Sequence, residues 1–153
     1  PCGFLGDPDR ECTCSYTQIT SYQKRLSGPL LDRIDLVVAV SKVANKELHA
    51  QVAVSDRQHK KAVSDITLSL LQQKKRFRRS DHYNSSLSSH DISTKLSISC
   101  EAKRILETAS DKLKLSARAY FKTIKVAQTI ADMEISPIIT GQHVSEALQY
   151  RLK

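Results

Sequence analysis

Three cysteines lie close together in the first fourteen residues, PCGFLGDPDRECTC, among glycines and prolines typical of a loop. Cys2, Cys12 and Cys14 could hold a zinc ion through their thiolates, although a structural zinc ion usually takes four ligands. His49 or His59 could supply the fourth ligand, but the sequence places neither of them nearby. The spacing of the cysteines is not that of a standard zinc ribbon. The segment therefore fits either a metal site or a set of free thiols in a loop.

A second candidate is an arginine between two aspartates, in the stretch SGPLLDRIDLVVAV at residues 27–40. Arg33 lies between a short helical turn and an apolar run that is typical of a buried strand. A side chain at such a position projects at the edge of a domain, where it could contact another molecule. The alternative is an ion pair within the chain, with Asp32 or Asp35.

A third candidate is Arg118, in the first turn of a predicted helix. A positive charge there opposes the helix macrodipole, so another interaction should favour it. That interaction is either a functional one or an ion pair with Asp111 or Glu107.

Positive charge is concentrated at the end of another predicted helix, in the stretch KKRFRR at residues 74–79. With a net charge of +8, the chain favours acidic partners, with nucleic acid first and anionic membrane second, although the same charge is also compatible with plain solubility. The run could contact phosphates, or it could be a solvated helix end, where cations also suit the macrodipole. The candidate nucleic-acid contacts are Lys74, Lys75, Arg76, Arg78 and Arg79.

Other kinds of site are excluded or unsupported by the composition. The four glycines, at positions 3, 6, 28 and 141, cannot form a GxxxxGK[ST] phosphate loop or a GxGxxG fingerprint. The histidines show no metal-ligand spacing, and no Ser-His-Asp or paired-carboxylate arrangement can be argued. Cys100 stands apart from the other three cysteines, so a fully paired disulfide framework is not expected. Cys100 itself is expected to be a buried helix residue.

The sequence predicts a soluble, cytoplasmic protein with no membrane partner. No apolar run approaches the roughly 18 residues that a membrane span needs, and no signal-peptide pattern is found. Since the chain starts Pro-Cys-Gly without an initiator Met, we expect a piece of a longer protein.

The elements that position the N-terminal candidates are short. Ser15 can cap a helix over 15–26, which Gly28-Pro29 would end, and residues 30–33 could form one more turn. Residues 36–40, Leu-Val-Val-Ala-Val, predict a strand buried on both faces.

The middle of the chain predicts one long helix and a linker. The helix begins at Ser55 or Asp56 and runs to about Phe77. Residues 80–90, SDHYNSSLSSH, are polar and turn-rich, which predicts a mobile linker. The apolar side of the helix is formed by Val63, Ile66, Leu70 and Phe77.

The last part of the chain predicts a small bundle of three amphipathic helices. Ser116 and Thr140 are at cap positions, Pro137 breaks the second helix, and Ile139 with Val144 fits a hydrophobic staple. The inward positions are Ile98, Ala102, Ile105, Leu106, Ala109 and Leu113 in the first helix, Tyr120, Ile124, Val126, Ala127, Ile130 and Ala131 in the second, and Val144, Ala147 and Leu148 in the third.

Four stretches of the chain resemble the bacterial magnesium-chelatase-like AAA+ ATPases of the competence-type ComM/YifB group. They are PCGFLGDPDRECTCS, QITSYQKRLSGPLLDRIDLVVAV, LKLSARAYFKTIKVAQTIADME and HVSEALQYR, and the likeness is weak over 41–95. The resemblance implies a mainly α fold, in which a helical lid bundle at 98–153 is preceded by the last helix and strand of an α/β AAA+ core. Residues 1–40 would end that core, and 41–97 would be a connecting helix and polar linker.

The resemblance also implies roles for the candidate residues. Arg33 would be an arginine finger that reaches the γ-phosphate held by a neighbouring subunit. Arg118 would be the sensor 2 arginine, acting on the nucleotide of its own subunit or of a neighbour. The Walker A loop, the Walker B acids, the sensor 1 Asn and a fourth cysteine would lie upstream, so that the parent protein would carry a four-cysteine set.

The function that the resemblance implies is that of a homo-hexameric motor using ATP and Mg²⁺. It would remodel DNA, as a branch-migration helicase in recombination or transformation, and this chain alone would not be catalytic. One alternative is the ATPase subunit of a metal chelatase that acts on a tetrapyrrole. The other is a basic helical interaction module without a nucleotide role.

Overall fold

A computed structural model describes residues 1–40 and 56–151, which fall into two units. The first unit contains described residues 1–34 and 38–40, and the second contains 35–37 and 56–151. The described residues form α-helices and one 3₁₀ turn, with a single isolated β-bridge. The mainly helical fold that the sequence predicts is therefore confirmed.

The first unit has two short helices, each begun by a serine. In α1 (Tyr16–Gln23), the Ser15 side chain accepts a hydrogen bond from the Gln18 N–H, and the Gln18 side chain accepts one from the Ser15 N–H. In α2 (Gly28–Leu31), Ser27 caps the helix. Helix α1 confirms the helix predicted from Ser15. Gly28 was expected only to end that first helix, and it is instead the first residue of α2.

The apolar run at 36–40 forms no strand, which corrects the sequence prediction. Leu36, Val38 and Val40 are exposed, and the Val37 N–H donates a hydrogen bond of 2.8 Å to the Tyr150 carbonyl. A strand buried on both faces belongs to a sheet that is covered on both sides, and its backbone pairs with neighbouring strands. The described residues contain no such strand, so the run has nothing in this part of the chain to pair with.

The second unit is a helical bundle built around one central helix. Its elements are α3 (Asp56–Phe77), the 3₁₀ turn (Asn84–Ser86), α4 (Ser89–Lys95), α5 (Cys100–Leu113), α6 (Ala117–Met133) and α7 (Gly141–Gln149). Helix α6 packs against α3, the 3₁₀ turn, α4 and α7, and α5 packs against α7. The core consists of Leu87, Ile92, Ala102, Leu106, Ile124, Ala127, Ile139, Val144 and Ala147.

Local signals fix where these helices begin. The Ser99 and Ser116 hydroxyls each accept a hydrogen bond of 3.1 Å from the backbone N–H three residues later, which satisfies a donor that the helix leaves unpaired. Ile139 and Val144 are almost fully buried, as the predicted staple requires. A Cβ at Gly141 would lie 2.8 Å from Ile105, so the glycine allows α7 to approach α5 closely.

Two expectations for the middle of the chain are wrong. Residues 80–90 are not a mobile linker, because they include the 3₁₀ turn and the start of α4, and Asn84 and Leu87 are each 2% exposed. The predicted apolar side of α3 points outward at Val63, Ile66 and Leu70, and only Phe77 packs against the core.

Two residues that were predicted to be buried in α5, one of them in the apolar stripe, face solvent. Cys100, expected to be buried, is exposed as the first residue of α5, and Leu113 is exposed in its last turn. The rest of the predicted stripe is buried or packs against the core, as predicted.

Helix α6 ends in a strained turn at Ile135. The Ser136 N–H bonds to the Ala131 carbonyl at 2.8 Å and the Ile135 N–H to the Asp132 carbonyl at 3.3 Å, which is a Schellman motif. Ile135 has φ 56°, a left-handed conformation that costs an L-residue roughly 1–2 kcal/mol. The motif usually has glycine at this position.

Replacing Ile135 with glycine should therefore stabilise the protein by about 1 kcal/mol, because the strain is removed and the exposed side chain loses little burial. Urea unfolding of the two proteins measures the difference. Ile138→Gly is the matched control. Ile138 has no positive φ, so glycine at that position relieves no strain and should destabilise the protein. A lower unfolding midpoint for Ile135→Gly than for the unmodified chain would contradict the strain argument.

Candidate functional site

The structure brings the three N-terminal thiols together. The sulfurs of Cys2, Cys12 and Cys14 all lie within 4.8 Å of one another, and those of Cys2 and Cys12 are 3.6 Å apart. The backbone surrounds them with donors: the Cys2 N–H bonds to Cys14 Sγ at 3.0 Å, and the Phe4 N–H bonds to Cys2 Sγ at 3.4 Å. Gly3, with φ +85°, lies between Cys2 and Phe4 and allows the backbone to turn there.

This environment shifts the pKa values of two of the thiols in opposite directions. Hydrogen bonds from the backbone of Phe4, and then of Thr13, lower the pKa of Cys2 to about 6. For Cys12 the backbone of Cys14 lowers the pKa, but the interaction with Cys2 and burial outweigh it, so that the pKa is raised. The lowered pKa favours the thiolate form of Cys2, which is the nucleophilic and metal-binding form.

No histidine or carboxylate of the described residues joins the three thiols. His59 belongs to α3 in the second unit, and His49 lies outside the described residues. Of these two candidates for a fourth ligand, His59 does not join the cluster, and the structure does not describe His49.

Arg33 is exposed in the turn that follows α2. Its backbone N–H bonds to the Leu30 carbonyl at 3.0 Å, so the backbone that carries it is held by the capped turn. Within residues 1–40 and 56–151, its guanidinium forms no ion pair with Asp32 or Asp35. The intramolecular alternative for this arginine is therefore not observed.

Arg118 is the second residue of α6 and is also exposed. The first turn of α6 contains no acidic residue, and no ion pair joins Arg118 to Asp111 or Glu107 in the part of the chain that the structure describes. Burial, and then the charge of Glu107, raise the pKa of Tyr120 near the same helix start. The conflict between Arg118 and the helix macrodipole thus has no intramolecular resolution among these residues.

The basic run at the end of α3 divides into surface and interior residues. Lys74, Lys75, Arg78 and Arg79 are exposed, and Arg79 pairs with exposed Asp81 at 3.2 Å. These four side chains form what we call the basic helix end. Arg76 does not belong to it, which corrects its assignment as a surface contact for nucleic acid.

Arg76 instead joins α3 to α6 through a buried carboxylate. Asp132, 1% exposed, pairs with both terminal nitrogens of the guanidinium, one of them at 3.0 Å. Asn84 donates to the same carboxylate at 2.9 Å and accepts from Arg76 at 3.1 Å. Gln128 donates to it at 2.8 Å. A bidentate arginine with further donors is the arrangement that a buried carboxylate requires.

Sequence reasoning missed this network, although one signal for it exists. Gln128 and Asp132 are four residues apart, beside the apolar stripe of α6. Polar residues at that spacing share a helix face, so a pair flanking a buried stripe predicts an interior polar contact. The network is structural, because it has no exposed group aimed at a ligand.

His143 is likewise accounted for by local structure. Its Nδ1 accepts the Thr140 N–H at 3.0 Å, and its Nε2 lies 2.9 Å from a Glu134 oxygen. Because Nδ1 accepts, Nε2 carries the proton and donates to Glu134. The ring therefore connects the end of α6 to the start of α7.

Among the described residues, no helix has the length and apolar character that would let it cross a membrane.

Comparison with known families gives two matches that together cover most of the chain. Residues 1–48 match the family described as "Magnesium chelatase, subunit ChlI". Residues 61–151, more than half of the chain, match "Magnesium chelatase, subunit ChlI C-terminal".

Curated relatives agree with these matches. The chain is 34% identical to the uncharacterized protein YifB of Escherichia coli over 141 residues, which is 90% of this chain and 26% of YifB. It is 35% identical to the competence protein ComM of Haemophilus influenzae over 139 residues, which is 88% of this chain and 26% of ComM. The chain thus spans about a quarter of the length of these relatives.

Proposed function

Because this chain belongs to the magnesium chelatase family, we propose that it supplies phosphate-binding arginines to a ring-shaped ATPase of which it forms the C-terminal part. Its relatives are about four times longer, and the chain's few glycines do not provide a phosphate loop. ATP and its Mg²⁺ would therefore be held mainly by residues outside this chain. The bound Mg²⁺ would neutralise part of the phosphate charge.

The observation that carries the proposal is that the Arg33 guanidinium is exposed and has no carboxylate partner among the described residues. The turn that carries it is held by the hydrogen bond from the Arg33 N–H to the Leu30 carbonyl. A guanidinium stays charged and can donate two bonds to phosphate oxygens. Arg33 would contact the γ-phosphoryl group of ATP bound to a neighbouring subunit and offset the charge that develops there.

Arg118 would bind phosphate at a different place. An anion at the start of α6 would be attracted both by the positive end of the helix dipole and by the guanidinium, which removes the conflict between them. Arg118 would contact the nucleotide of its own subunit or that of a neighbour.

The motor's substrate would be DNA, and the assembly a homo-hexamer. One curated relative is a competence protein, and the chain carries a net charge of +8 with four exposed cations at the basic helix end. Such a cluster suits the phosphate backbone of nucleic acid. DNA remodelling, such as branch migration, is the activity that we propose for the whole protein.

The second candidate is the ATPase subunit of a metal chelatase, which the description of the matching family favours. The two functions differ in their response to DNA. A DNA motor should hydrolyse ATP faster when forked or single-stranded DNA is present, whereas a chelatase subunit should not.

We expect DNA to stimulate ATP hydrolysis by the longer protein, and the triple variant Lys74→Ala, Lys75→Ala, Arg78→Ala to need more DNA for the same stimulation. Each lost phosphate contact should also reduce the slope of log affinity against log salt by about 0.7–0.9. Hydrolysis and fluorescence anisotropy with labelled forked DNA measure both effects.

The matched control is Lys103→Ala, Arg104→Ala, Lys112→Ala, which removes three exposed cations from α5. Equal losses in the two triple variants would show that only net charge matters. An ATPase that is active but indifferent to DNA would favour the chelatase reading.

A further inference from the structure

We propose that Cys2, Cys12 and Cys14 form a three-thiolate site for a zinc ion, which clamps the N-terminal loop and leaves one coordination position for a ligand outside the cluster. This proposal does not rest on the ATPase function proposed above.

The distances fit the ion. A zinc ion bound to sulfur at about 2.3 Å in tetrahedral geometry holds its sulfurs about 3.8 Å apart. The Cys2 and Cys12 sulfurs are 3.6 Å apart, and no pair in the cluster exceeds 4.8 Å. The site therefore needs only side-chain adjustments of an ångström or less to enclose the ion.

The backbone places hydrogen-bond donors against two of the sulfurs. N–H groups of Cys2 and Phe4 donate to Cys14 Sγ and Cys2 Sγ, which stabilises negative charge on sulfur. Three thiolates and one Zn²⁺ carry a net charge of −1, so donors of this kind favour the loaded site. Gly3 and Gly6, both with positive φ, allow the loop to fold around the sulfurs.

Among its described residues, the first unit has no buried core that could hold it in place. Of the described residues 1–40, none is buried, and neither α1 nor α2 contributes a buried side chain. Small folded segments without a sufficient apolar core are commonly held by metals or disulfides. Three mutually close thiols cannot all pair as disulfides, whereas one metal ion engages all of them.

The donor set selects the type of metal. Thiolate sulfur favours zinc and other soft ions over Mg²⁺ or Ca²⁺, which prefer oxygen. Since no histidine or carboxylate of the described residues joins the cluster, the fourth ligand is water or a donor from elsewhere. A fourth ligand of either kind completes the tetrahedron.

The test uses this chain, prepared without oxygen and loaded with zinc or cobalt. We expect one zinc per chain by elemental analysis, and a Co²⁺ form with the intense near-ultraviolet absorption of sulfur-to-cobalt charge transfer. Cys12→Ser should weaken zinc binding by at least about 100-fold in competition with a chromophoric chelator. Far-ultraviolet circular dichroism should show that the α3–α7 bundle is retained in that variant.

Cys100→Ser is the matched control, because Cys100 is an exposed thiol on α5, outside the cluster. It should leave metal content, spectrum and affinity unchanged. Three outcomes would overturn the proposal: no bound zinc in the reduced chain, a cobalt spectrum without thiolate absorption, or equal losses in Cys12→Ser and Cys100→Ser. A chain that excludes zinc and instead forms a Cys2–Cys12 disulfide, detected by mass spectrometry, would assign the cluster to redox chemistry.

Discussion

Replacing Arg33 with alanine in the longer ATPase should lower its rate of ATP hydrolysis by about 10³- to 10⁵-fold, the effect of removing an arginine that stabilises a transferring phosphoryl group. The loss should appear mainly in kcat, because the guanidinium acts on charge that develops in the transition state. Steady-state hydrolysis measured at saturating ATP tests this. Arg33→Lys should recover only part of the rate, since lysine keeps the charge but cannot donate two bonds in a fixed geometry.

Arg25→Ala provides the matched control for this experiment. Arg25 is an exposed arginine of the same unit, and its guanidinium lies over the Tyr22 ring at 5.8 Å from the centroid. Its loss should change the rate little. Full activity in Arg33→Ala, or an equal loss in Arg25→Ala, would remove Arg33 from the proposed chemistry.

Replacing Asp132 with alanine should destabilise the chain by about 3–5 kcal/mol, because it leaves a largely buried Arg76 without its counter-charge. Asn84 and Gln128 would lose an acceptor at the same time. Because this network joins α3 and the 3₁₀ turn to α6, the loss should loosen the whole bundle rather than one helix end. Urea unfolding, followed by circular dichroism, measures the change.

Asp81→Ala is the control that removes an exposed ion pair, so it distinguishes the effect of burial from that of ion pairing alone. Asp81 also pairs with an arginine, Arg79, but both side chains are about two-thirds exposed or more, and solvent weakens such pairs. Its removal should scarcely move the unfolding midpoint. The double variant Arg76→Met, Asp132→Leu should recover much of the stability that Asp132→Ala loses, since apolar side chains often replace a buried ion pair without cost. Similar midpoints for Asp132→Ala and Asp81→Ala would contradict the structural role of the network.

Features set by local sequence could be predicted. The helices after residue 98 follow from cap residues and apolar spacing within a few positions, and Ser116, Ile139 and Val144 behave as these signals predict. The start of α1 at Ser15 was predictable for the same reason.

Features that depend on distant partners could not be predicted. Asn84 lies in a polar stretch typical of a linker, yet its side chain bonds to Thr129 and Asp132, which are 45 and 48 residues away. In the sequence, Arg76 cannot be distinguished from its basic neighbours, because its partner Asp132 lies 56 residues later. The apolar spacing of α3 identifies a face but not its direction, and in the described residues that face is exposed.

The candidate site shows the same division. The closeness of three cysteines in a glycine-containing loop could be anticipated from their spacing, whereas the N–H groups aimed at the sulfurs could not. Arg33 and Arg118 were singled out by sequence position and family resemblance. Their exposure is now described, and their phosphate-binding roles remain predictions.

The central claim, that Arg33 acts on a neighbour's nucleotide, is tested most directly by mixing two inactive variants of the longer protein. One is Arg33→Ala, and the other is disabled in its own phosphate loop but keeps Arg33. At equal amounts, about a quarter of the interfaces in randomly mixed rings would combine an intact nucleotide site with an intact arginine. We predict that ATP hydrolysis rises from near zero to about that fraction of the unmodified rate. Mixed rings that form but stay inactive would contradict the claim.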